Sequence, residues 1–340
     1  MPSMAGNTHI GQRELNEDCY FADVELGLAV VADGMGGHKH GEVASAIVVE
    51  TLRREANNGN ALDAAIRESH LEVKRGVEAG RGGQGMGSAV VAAKFDGHDY
   101  EICWIGDCRA YLWDGELVQV TRDHSYVEQL LSLGAMTWEE AQGSSVRNMI
   151  TQAVGVSPDE ELEVGIVHGT LGAGQELLLC SDGLNDVLTG QAIGDILDGG
   201  GSLEERCGQL VEAVVQAGGR DNVTALLVAP DANAGASSRP PAVSVARRDG
   251  SVEYFSTEGI SVFGALEDAR PANAEEADRT SVRMAPKISA RPKKAAASPV
   301  RPAPGRTARG APGFVSSLLQ GVAIGCLIVG LLAAANWYFG

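Results

Sequence analysis

The sequence predicts an α+β domain whose strands pair mainly with their neighbours along the chain. Short strand-like runs follow one another through tight turns such as Phe95-Asp96-Gly97 and Trp113-Asp114-Gly115, and turns of this kind join antiparallel strands. Strands also come in groups and helices in groups, whereas a doubly wound parallel sheet alternates the two. These two observations favour a layered α+β fold.

The predicted elements account for most of the first two thirds of the chain. Apolar or alternating runs bounded by Gly, Asp or Asn predict the strands. They span 19–24, 27–32, 88–95, 100–105, 109–113, 117–121, 162–167, 176–180 and 222–228. Helical spacing of apolar residues predicts helices near 41–54, 61–77, 125–133, 190–197 and 203–217. We therefore predict one folded domain over residues 1–230.

Charge is distributed unevenly along the chain. The 340 residues include 27 basic and 45 acidic ones, a net charge of −18. Residues 279–309 nevertheless hold nine basic residues and no acidic one, so the part before them is more acidic than the average. An acidic surface repels phosphate backbones, which argues against a nucleic-acid-binding role.

The remainder of the chain has a different composition from the domain. Residues 231–312 are rich in Ala, Pro, Ser and Arg and lack sustained apolar periodicity, so we predict a disordered basic linker. Residues 313–340 carry no charge and are mostly apolar, and at ~1.5 Å per residue they can cross a ~30 Å hydrocarbon core. We predict a single transmembrane helix there, with a buried core helix as the alternative.

Cysteine usage and the N-terminus indicate a reducing compartment. The six cysteines form no Cys-x-x-Cys pair, and the first residues lack the apolar core of a signal peptide. We expect neither disulfides nor a zinc knuckle. The positive-inside rule keeps the basic linker, and with it the preceding domain, in the cytoplasm.

Acidic residues occur repeatedly where an apolar run meets a Gly-rich turn. Asp33 precedes Gly34, Asp182 precedes Gly183, and Asp221 follows a Gly-Gly-Arg sequence. One Asp-Gly pair is usually only a turn, but several in one domain can place carboxylates around a ligand. Converging carboxylates repel one another unless hard divalent cations such as Mg²⁺ or Mn²⁺ join them. The pattern thus predicts hydrolysis assisted by two metal ions.

Seven short motifs follow one another along residues 5–229. They are Gly11–Asp18, Val31–His38, Gly41–Ser45, Gly106–Arg109, Thr121–Ser125, Cys180–Leu184 and Asp221–Thr224. Each is weak alone, but in this order they resemble the metal-dependent protein serine/threonine phosphatases of type 2C, in their bacterial branch. The resemblance implies two stacked antiparallel β-sheets flanked by α-helices, to which this chain adds the predicted membrane anchor.

The resemblance also implies metal ligands among the acidic residues. Asp33 would bridge two Mn²⁺ or Mg²⁺ ions, and the Gly34 carbonyl would ligate as well. Asp182 and Asp221 would hold the first ion, and Glu17 would approach the second, partly through water. A third ion between Asp182 and a further carboxylate stays open.

That further carboxylate is Asp107, which matches an additional metal site of bacterial members. Arg13 would grip the substrate phosphate with its planar guanidinium, so that Arg13 and Asp33 are the predicted catalytic residues. Asp18 is expected to support the ligands rather than bind metal. The general acid has no assignment, because Met35 stands where animal relatives have His, and His38 is the nearest alternative.

The segment 133–155 resembles the variable flap beside the active site of the family, and we refer to it as the flap. Arg147 within it is either a secondary phosphate contact or an ordinary surface charge. Cys103 and Arg109 have the spacing of cysteine-dependent phosphatases, but Asp107 between them would put a negative charge inside a phosphate cradle. A pseudophosphatase that binds phosphoproteins without hydrolysis is a rival from another class, and a phosphatase of one phosphoserine regulator of transcription is an enzymatic one.

The resemblance and the predicted anchor together suggest a cellular role. We expect a phosphatase of phosphoserine and phosphothreonine in proteins that opposes a eukaryotic-like serine/threonine kinase. The expected location is the bacterial inner membrane, crossed once, with the catalytic domain in the cytoplasm. Phosphoproteins and the membrane are the expected partners, and nucleic acid is not.

Overall fold

The computed structural model describes residues 1–36 and 40–255, together with the backbone of 281–284. The strands, in chain order, are β1 Ser3–His9, β2 Asp18–Asp23, β3 Leu28–Met35, β4 Gly87–Asp96, β5 Asp99–Ile105, β6 Arg109–Trp113, β7 Leu117–Gln119, β8 Gly165–Thr170, β9 Glu176–Cys180, β10 Val223–Ala229, β11 Ser244–Ala246, β12 Val252–Phe255 and β13 Ser281–Met284. The helices are α1 Gly41–Asn57, α2 Leu62–Glu78, α3 Tyr126–Ser132, α4 Trp138–Gln142, α5 Asp182–Asn185, α6 Gly190–Asp198 and α7 Leu203–Gln216, with a 3₁₀ turn at Asp159–Glu161.

In the described part of the chain these strands form two antiparallel sheets. One has five strands in the order β2-β3-β4-β5-β8, and the other has eight in the order β1-β10-β9-β6-β7-β11-β12-β13. Adjacent strands joined by short turns pair with each other, as β4 does with β5 through Asp96 and Asp99. The antiparallel pairing predicted from the turns is confirmed.

A core of buried side chains lies between the two sheets, and helices cover their outer faces. Along β3, Ala29 and Val31 face the core between the sheets, whereas Leu28 and Val30 pack under α1 and α2. On the other sheet, Leu178 packs with residues of α6 and α7. Because β3 is buried on both faces, it has a continuous apolar sequence rather than an alternating one. The layered αββα arrangement implied by the resemblance is confirmed.

The structure adds strand β1, which was not predicted, and shifts the bounds of the predicted strand β8. β1 has the largely polar sequence SMAGNTH and owes its conformation to pairing along the whole of β10. β8 begins three residues later than predicted, because Leu162 and Val164 are buried against the helical layer instead. Tertiary pairing decides both elements.

The structure differs from the predicted linker immediately after the domain. Residues 244–246 and 252–255 are strands β11 and β12, which extend the eight-stranded sheet beyond β7. Val243 and Val245 are buried there, with only 1% and 3% of their surface exposed. The open edge of β7 supplies the backbone partners that this short segment lacks by itself.

Among the described residues, none of the helices is both long and apolar enough to cross a membrane. The predicted span 313–340 and most of the predicted linker lie outside the described residues.

Candidate active site

The hairpin of β2 and β3 brings the first predicted site residues together. Asp18 and Asp33 are paired across the two strands, so their side chains lie on the same face of the sheet. The backbone N–H of Gly34 donates to the Glu17 carbonyl at 3.1 Å. The register of one hairpin therefore places Glu17, Asp18 and Asp33 at the same end of the sheet.

Two glycines allow Glu17 and the Gly34 carbonyl to approach each other. A Cβ on Gly34 would lie 2.0 Å from the carbonyl oxygen of Gly41, so no other residue fits. A Cβ on Gly41 would lie 2.5 Å from Glu17 Oε1 and 2.7 Å from the Gly34 oxygen. The Gly41 N–H, in the first turn of α1, donates to Glu17 Oε1 at 3.2 Å. The structure thus brings these two predicted ligands to one point at the start of a helix.

Asp18 connects the two sheets beneath the site. Its Oδ2 accepts hydrogen bonds from Ser181 Oγ and Thr224 Oγ1, both at 2.7 Å. Its Oδ1 is buried and has no hydrogen-bond partner among the described residues. Burial raises the pKa of Asp18 to about 6, against the two hydroxyl hydrogen bonds, which lower it. Asp18 therefore orients the loop that carries Asp182.

The charges of other predicted site carboxylates raise the pKa of Asp33 and of Asp182. Burial raises the pKa of Asp33 well above its usual range, and the charges of Asp18, Asp182, Asp107 and Asp221 raise it further. Burial likewise raises the pKa of Asp182, followed by the charges of Asp107, Asp186 and Asp221. The charged neighbours with the largest effects on both groups are all carboxylates.

Asp107 lies at the far side of this group, after the end of β5. Burial raises its pKa to about 7, and the charge of Asp123 raises it as well. The backbone of Gly106 bonds to His124 in both directions, with its carbonyl accepting from the His124 N–H at 2.8 Å. This pairing holds the turn that carries Asp107.

Arg13 lies on Asp221, one of the predicted metal ligands. Its Nη2 is 2.6 Å from Asp221 Oδ2, and this hydrogen bond raises the pKa of Arg13. Both side chains are accessible, with 53% and 40% of their surface exposed. The predicted phosphate-binding residue therefore reaches the site and neutralises one carboxylate there.

Asn222 has a role that the sequence did not predict. Its Nδ2 donates to the carbonyls of Ile10 and Leu15 at 2.8 and 3.0 Å, and its Oδ1 accepts from the Glu17 N–H at 2.7 Å. It is 4% exposed. The side chain thus clamps the loop that carries Arg13 and Glu17, and its position beside Asp221 in a recognised motif was the only available signal.

The donor set suits a hard divalent cation. It consists of carboxylates and one backbone carbonyl, and all-oxygen ligation with retained water is what Mg²⁺ and Mn²⁺ prefer. The unpartnered, buried Asp18 Oδ1 and the raised pKa of Asp33 indicate carboxylates in need of positive charge. Among the described residues, no three Asp, Glu, His or Cys side chains are arranged so that they could hold one metal ion together. The predicted ligands are therefore of the right chemical type and lie near one another, but their side chains do not converge on a common point.

The alternative cysteine chemistry does not fit the geometry. Cys103 lies within β5, is fully buried, and burial raises the pKa of its thiol. Arg109 donates to Asp123, with Nη2 2.7 Å from Oδ2, and so is not free to hold a phosphate. His38, the alternative general acid, lies outside the described residues.

The flap is tied to α5 beside the carboxylates. Arg147 Nη2 lies 3.4 Å from Asp186 Oδ2, and Asn148 Nδ2 donates to the same oxygen at 2.9 Å. Asp186 directly follows the helix that begins at Asp182. Arg147 is therefore near the site, as part of an exposed ion pair.

Comparison with known proteins agrees with this arrangement. The family model described as Protein phosphatase 2C matches residues 5–226. The serine/threonine protein phosphatase PstP of Mycobacterium tuberculosis is 36% identical over 222 residues, which are 63% of this chain and 42% of that protein. This chain thus spans less than half the length of that relative.

Solved structures extend the likeness to three dimensions. The crystal structure of the Mycobacterium tuberculosis phosphatase PstP/Ppp superposes with a TM-score of 0.63 at 34% identity, covering 68% of this chain and 99% of that one. A structure of the PstP catalytic domain in complex with two manganese ions has a TM-score of 0.59 at 33% identity, covering 68% and 99%. The chain described here belongs to the protein phosphatase 2C family.

Proposed function

We propose that this chain is a Mn²⁺- or Mg²⁺-dependent protein phosphatase that hydrolyses phosphoserine and phosphothreonine. The observation that carries the proposal is the group formed by Asp33, Asp182 and Asp221. The charges of neighbouring carboxylates, Asp221 among them, raise the pKa of both Asp33 and Asp182 beyond the effect of burial, and the basic residue paired with this group is the exposed Arg13 on Asp221. Membership of the family and the two manganese ions in the PstP catalytic domain support the same chemistry.

Six groups would hold the metal ions. These are the carboxylates of Glu17, Asp33, Asp107, Asp182 and Asp221 and the carbonyl of Gly34. When bound, the ions supply an activated water for attack on phosphorus and neutralise the charge that develops there. The protein contributes placement, because hairpin register, the Gly34–Gly41 approach and the Asp18 hydrogen bonds each position one part of this donor set.

Arg13 would bind the phosphate of the substrate. Its contact with Asp221 is exposed to solvent, and exposed ion pairs are worth only about 0–1 kcal/mol. The guanidinium can therefore leave Asp221 at little cost when a cation takes over that carboxylate. A planar guanidinium can then donate two parallel hydrogen bonds to phosphate oxygens.

The test is hydrolysis by the full-length chain of p-nitrophenyl phosphate and of a phosphothreonine peptide, with Mn²⁺ and with EDTA. We expect activity with Mn²⁺, none with EDTA, and full activity in Cys103→Ser. Activity that survives EDTA, or that disappears in Cys103→Ser while the variant stays folded, would contradict the proposal.

We further propose that the phosphatase is anchored in the bacterial inner membrane by residues 313–340, with the domain in the cytoplasm, where it opposes a eukaryotic-like serine/threonine kinase. The support is the uncharged apolar sequence and the nine basic residues in 279–309. Cell fractionation tests the anchor, since the full-length chain should resist carbonate extraction and a chain ending at residue 310 should not. Phosphoproteomics after deletion of the gene tests the kinase, whose phosphorylated sites should accumulate.

A further inference from the structure

The segment that follows the domain packs against it as a strap, which we define as residues 239–255. β11 pairs with β7 through Val245 and Val118, and β12 pairs with β11. Two backbone hydrogen bonds fasten the ends, from Val243 N–H to the Gln119 carbonyl at 2.8 Å and from Phe255 N–H to the Val243 carbonyl at 2.9 Å. The strap is therefore part of the sheet.

Ion pairs attach the strap to the β6–β7 turn. Arg247 Nη1 lies 2.9 Å from Glu116 Oε1, and Arg239 lies 3.6 Å from both Asp114 and Glu116. These pairs are partly exposed and individually weak. They fix the position of the strap relative to the β6–β7 turn, and the buried side chains of Val243 and Val245 anchor it to the sheet.

Tyr254, near the end of the strap, contacts helix α4 inside the flap and helix α3 just before it. Its ring stacks on Trp138, with centroids 5.4 Å apart and an interplanar angle of 30°. Its hydroxyl donates to Glu128 Oε1 at 2.5 Å. Trp138 begins α4 within the flap, and Glu128 lies in α3, which leads into it.

Glu128 depends on this contact because it is buried. It is 6% exposed, and besides the neutral Tyr254 hydroxyl it contacts the charged Arg122, with Nε 3.2 Å from Oε1. Burial raises the pKa of Glu128 to about 7. A buried carboxylate that loses a hydrogen-bond donor is destabilised, so α3 would loosen without Tyr254.

The flap borders a pocket at this point. The pocket has a volume of about 560 Å³ and is lined by Trp138 and Ala141 of the flap, Ser244 and Val252 of the strap, and Leu188. Where packing is incomplete, dispersion contacts are lost. The position of the flap consequently depends on contacts such as those of Tyr254.

Both ends of the segment that contains the flap are hydrogen-bonded to backbone next to, or part of, the predicted site residues Asp107 and Asp33. At its start, His124 pairs with Gly106, next to Asp107. At its end, Val154 pairs with Ser88 through two backbone hydrogen bonds of 2.9 and 3.0 Å, and Ser88 Oγ donates to the Asp33 carbonyl at 2.9 Å. A change in the flap is therefore a change beside the predicted site.

We propose that Tyr254 is a positioning residue, through which the strap holds the flap in place for binding of the phosphoprotein segment around the phosphorylated residue. This inference rests on the proposed phosphatase function. If Tyr254 has this role, changing it should weaken binding of a phosphopeptide and leave the hydrolysis of a small phosphate ester unchanged.

The test compares the full-length wild type with Tyr254→Phe, which removes the hydroxyl, and Tyr254→Leu, which also removes the stacking. Tyr20→Phe is the matched control, because it removes a tyrosine hydrogen bond of 3.1 Å to the Gly6 carbonyl, away from the flap. Steady-state kinetics are measured on a phosphothreonine peptide and on p-nitrophenyl phosphate. Hydrogen–deuterium exchange is measured on the flap and on α1.

For Tyr254→Leu we expect the KM for the peptide to rise about fivefold with kcat within twofold and p-nitrophenyl phosphate hydrolysis unchanged. Tyr254→Phe should show a smaller rise of the same kind. Exchange in the flap should become faster, and exchange in α1 should not. Tyr20→Phe should change none of these values.

Two results would overturn the inference. One is unchanged flap exchange in both Tyr254 variants, and the other is a parallel loss of activity on both substrates. If the wild type hydrolysed neither substrate, the proposed function itself would fail. Flap exchange would then still show whether Tyr254 holds the flap. Tyr254→Phe preserves the volume of the ring, so it keeps the test valid if Tyr254→Leu does not fold.

Discussion

Two groups of carboxylates in this fold differ in how they are paired with basic residues. The site group comprises Asp18, Asp33, Asp107, Asp182 and Asp221. The paired group comprises Asp123 and Glu128. Each member of the paired group has an arginine, since Arg109 donates to Asp123 and Arg122 to Glu128. In the site group only Asp221 has one, and that pair is exposed to solvent.

The two groups differ in whether an arginine of the protein compensates the charge of the carboxylate. Arg109 places Nε 3.0 Å from both oxygens of Asp123 and Nη2 2.7 Å from one, so this charge is compensated within the chain. For Asp33 and Asp182, burial and the charges of neighbouring carboxylates instead raise the pKa. Removing one partner of a compensated buried pair destabilises the fold, whereas uncompensated carboxylates fit an external cation.

The largest effect should come from removing one site carboxylate. Asp182→Asn should lower Mn²⁺-dependent phosphopeptide hydrolysis about a thousandfold, because a metal ligand is lost. Without divalent ions its stability should be equal or higher, since repulsion with Asp107 and Asp221 is relieved. Phosphatase assays and thermal unfolding in EDTA measure both. Asp96→Asn, at the exposed end of β4, is the control. A loss of thermal stability in Asp182→Asn as large as that of a core mutation would contradict the comparison.

Breaking the paired group should instead destabilise the protein. Arg109→Met leaves Asp123 buried without its arginine, which should lower the free energy of unfolding by about 3 kcal/mol. Denaturant unfolding in EDTA measures this free energy. Adding Mn²⁺ should stabilise Arg109→Met no more than it stabilises the wild type. The exposed pair of Arg53 and Glu50 provides the control Arg53→Met, for which little change is expected. Equal stability of the two variants would mean that Asp123 does not need compensation.

The stability of the protein should depend on pH through Glu128 of the paired group. Burial raises the pKa of Glu128 from 4.5 to about 7, so the folded state holds this proton more tightly than the unfolded state. The stabilising contribution is complete below pH 4.5 and is lost as the pH rises through 7. Between pH 5 and 8 the wild type should therefore lose about 2 kcal/mol relative to Glu128→Gln. Parallel stability curves for the two proteins would argue against a buried, titrating Glu128.

A smaller effect is expected from the clamp that joins loop and site. Asn222→Ala removes the donors to Ile10 and Leu15, so Arg13 and Glu17 lose their support. The kcat/KM for a phosphothreonine peptide should fall about tenfold, equivalent to about 1.4 kcal/mol. Asn57→Ala, which removes an exposed contact with the Arg53 carbonyl, is the control. Activity equal to wild type in Asn222→Ala would show that the loop is held by its backbone alone.

The predicted strands and helices were recovered where hydrophobic periodicity was strong. α1, α2, α6 and α7 begin within one residue of the predicted positions, since each has an apolar face that repeats with the helical period. The strands β11 and β12 were missed because three or four residues are too few for a period to be recognised. The structure places the predicted carboxylates near one another. The Arg13–Asp221 pair and the clamp by Asn222 were not predicted.

The amino-acid sequence by itself determined the layered α+β class, the identity of the acidic residues and their place at strand ends, because apolar periodicity and glycine positions are local properties. Only the tertiary structure decided which carboxylates lack a cation, that Asn222 holds the Arg13 loop, and that residues 239–255 complete the sheet and reach the flap. Those features join residues distant in sequence, and compensation of charge depends on distances through space that no local pattern encodes.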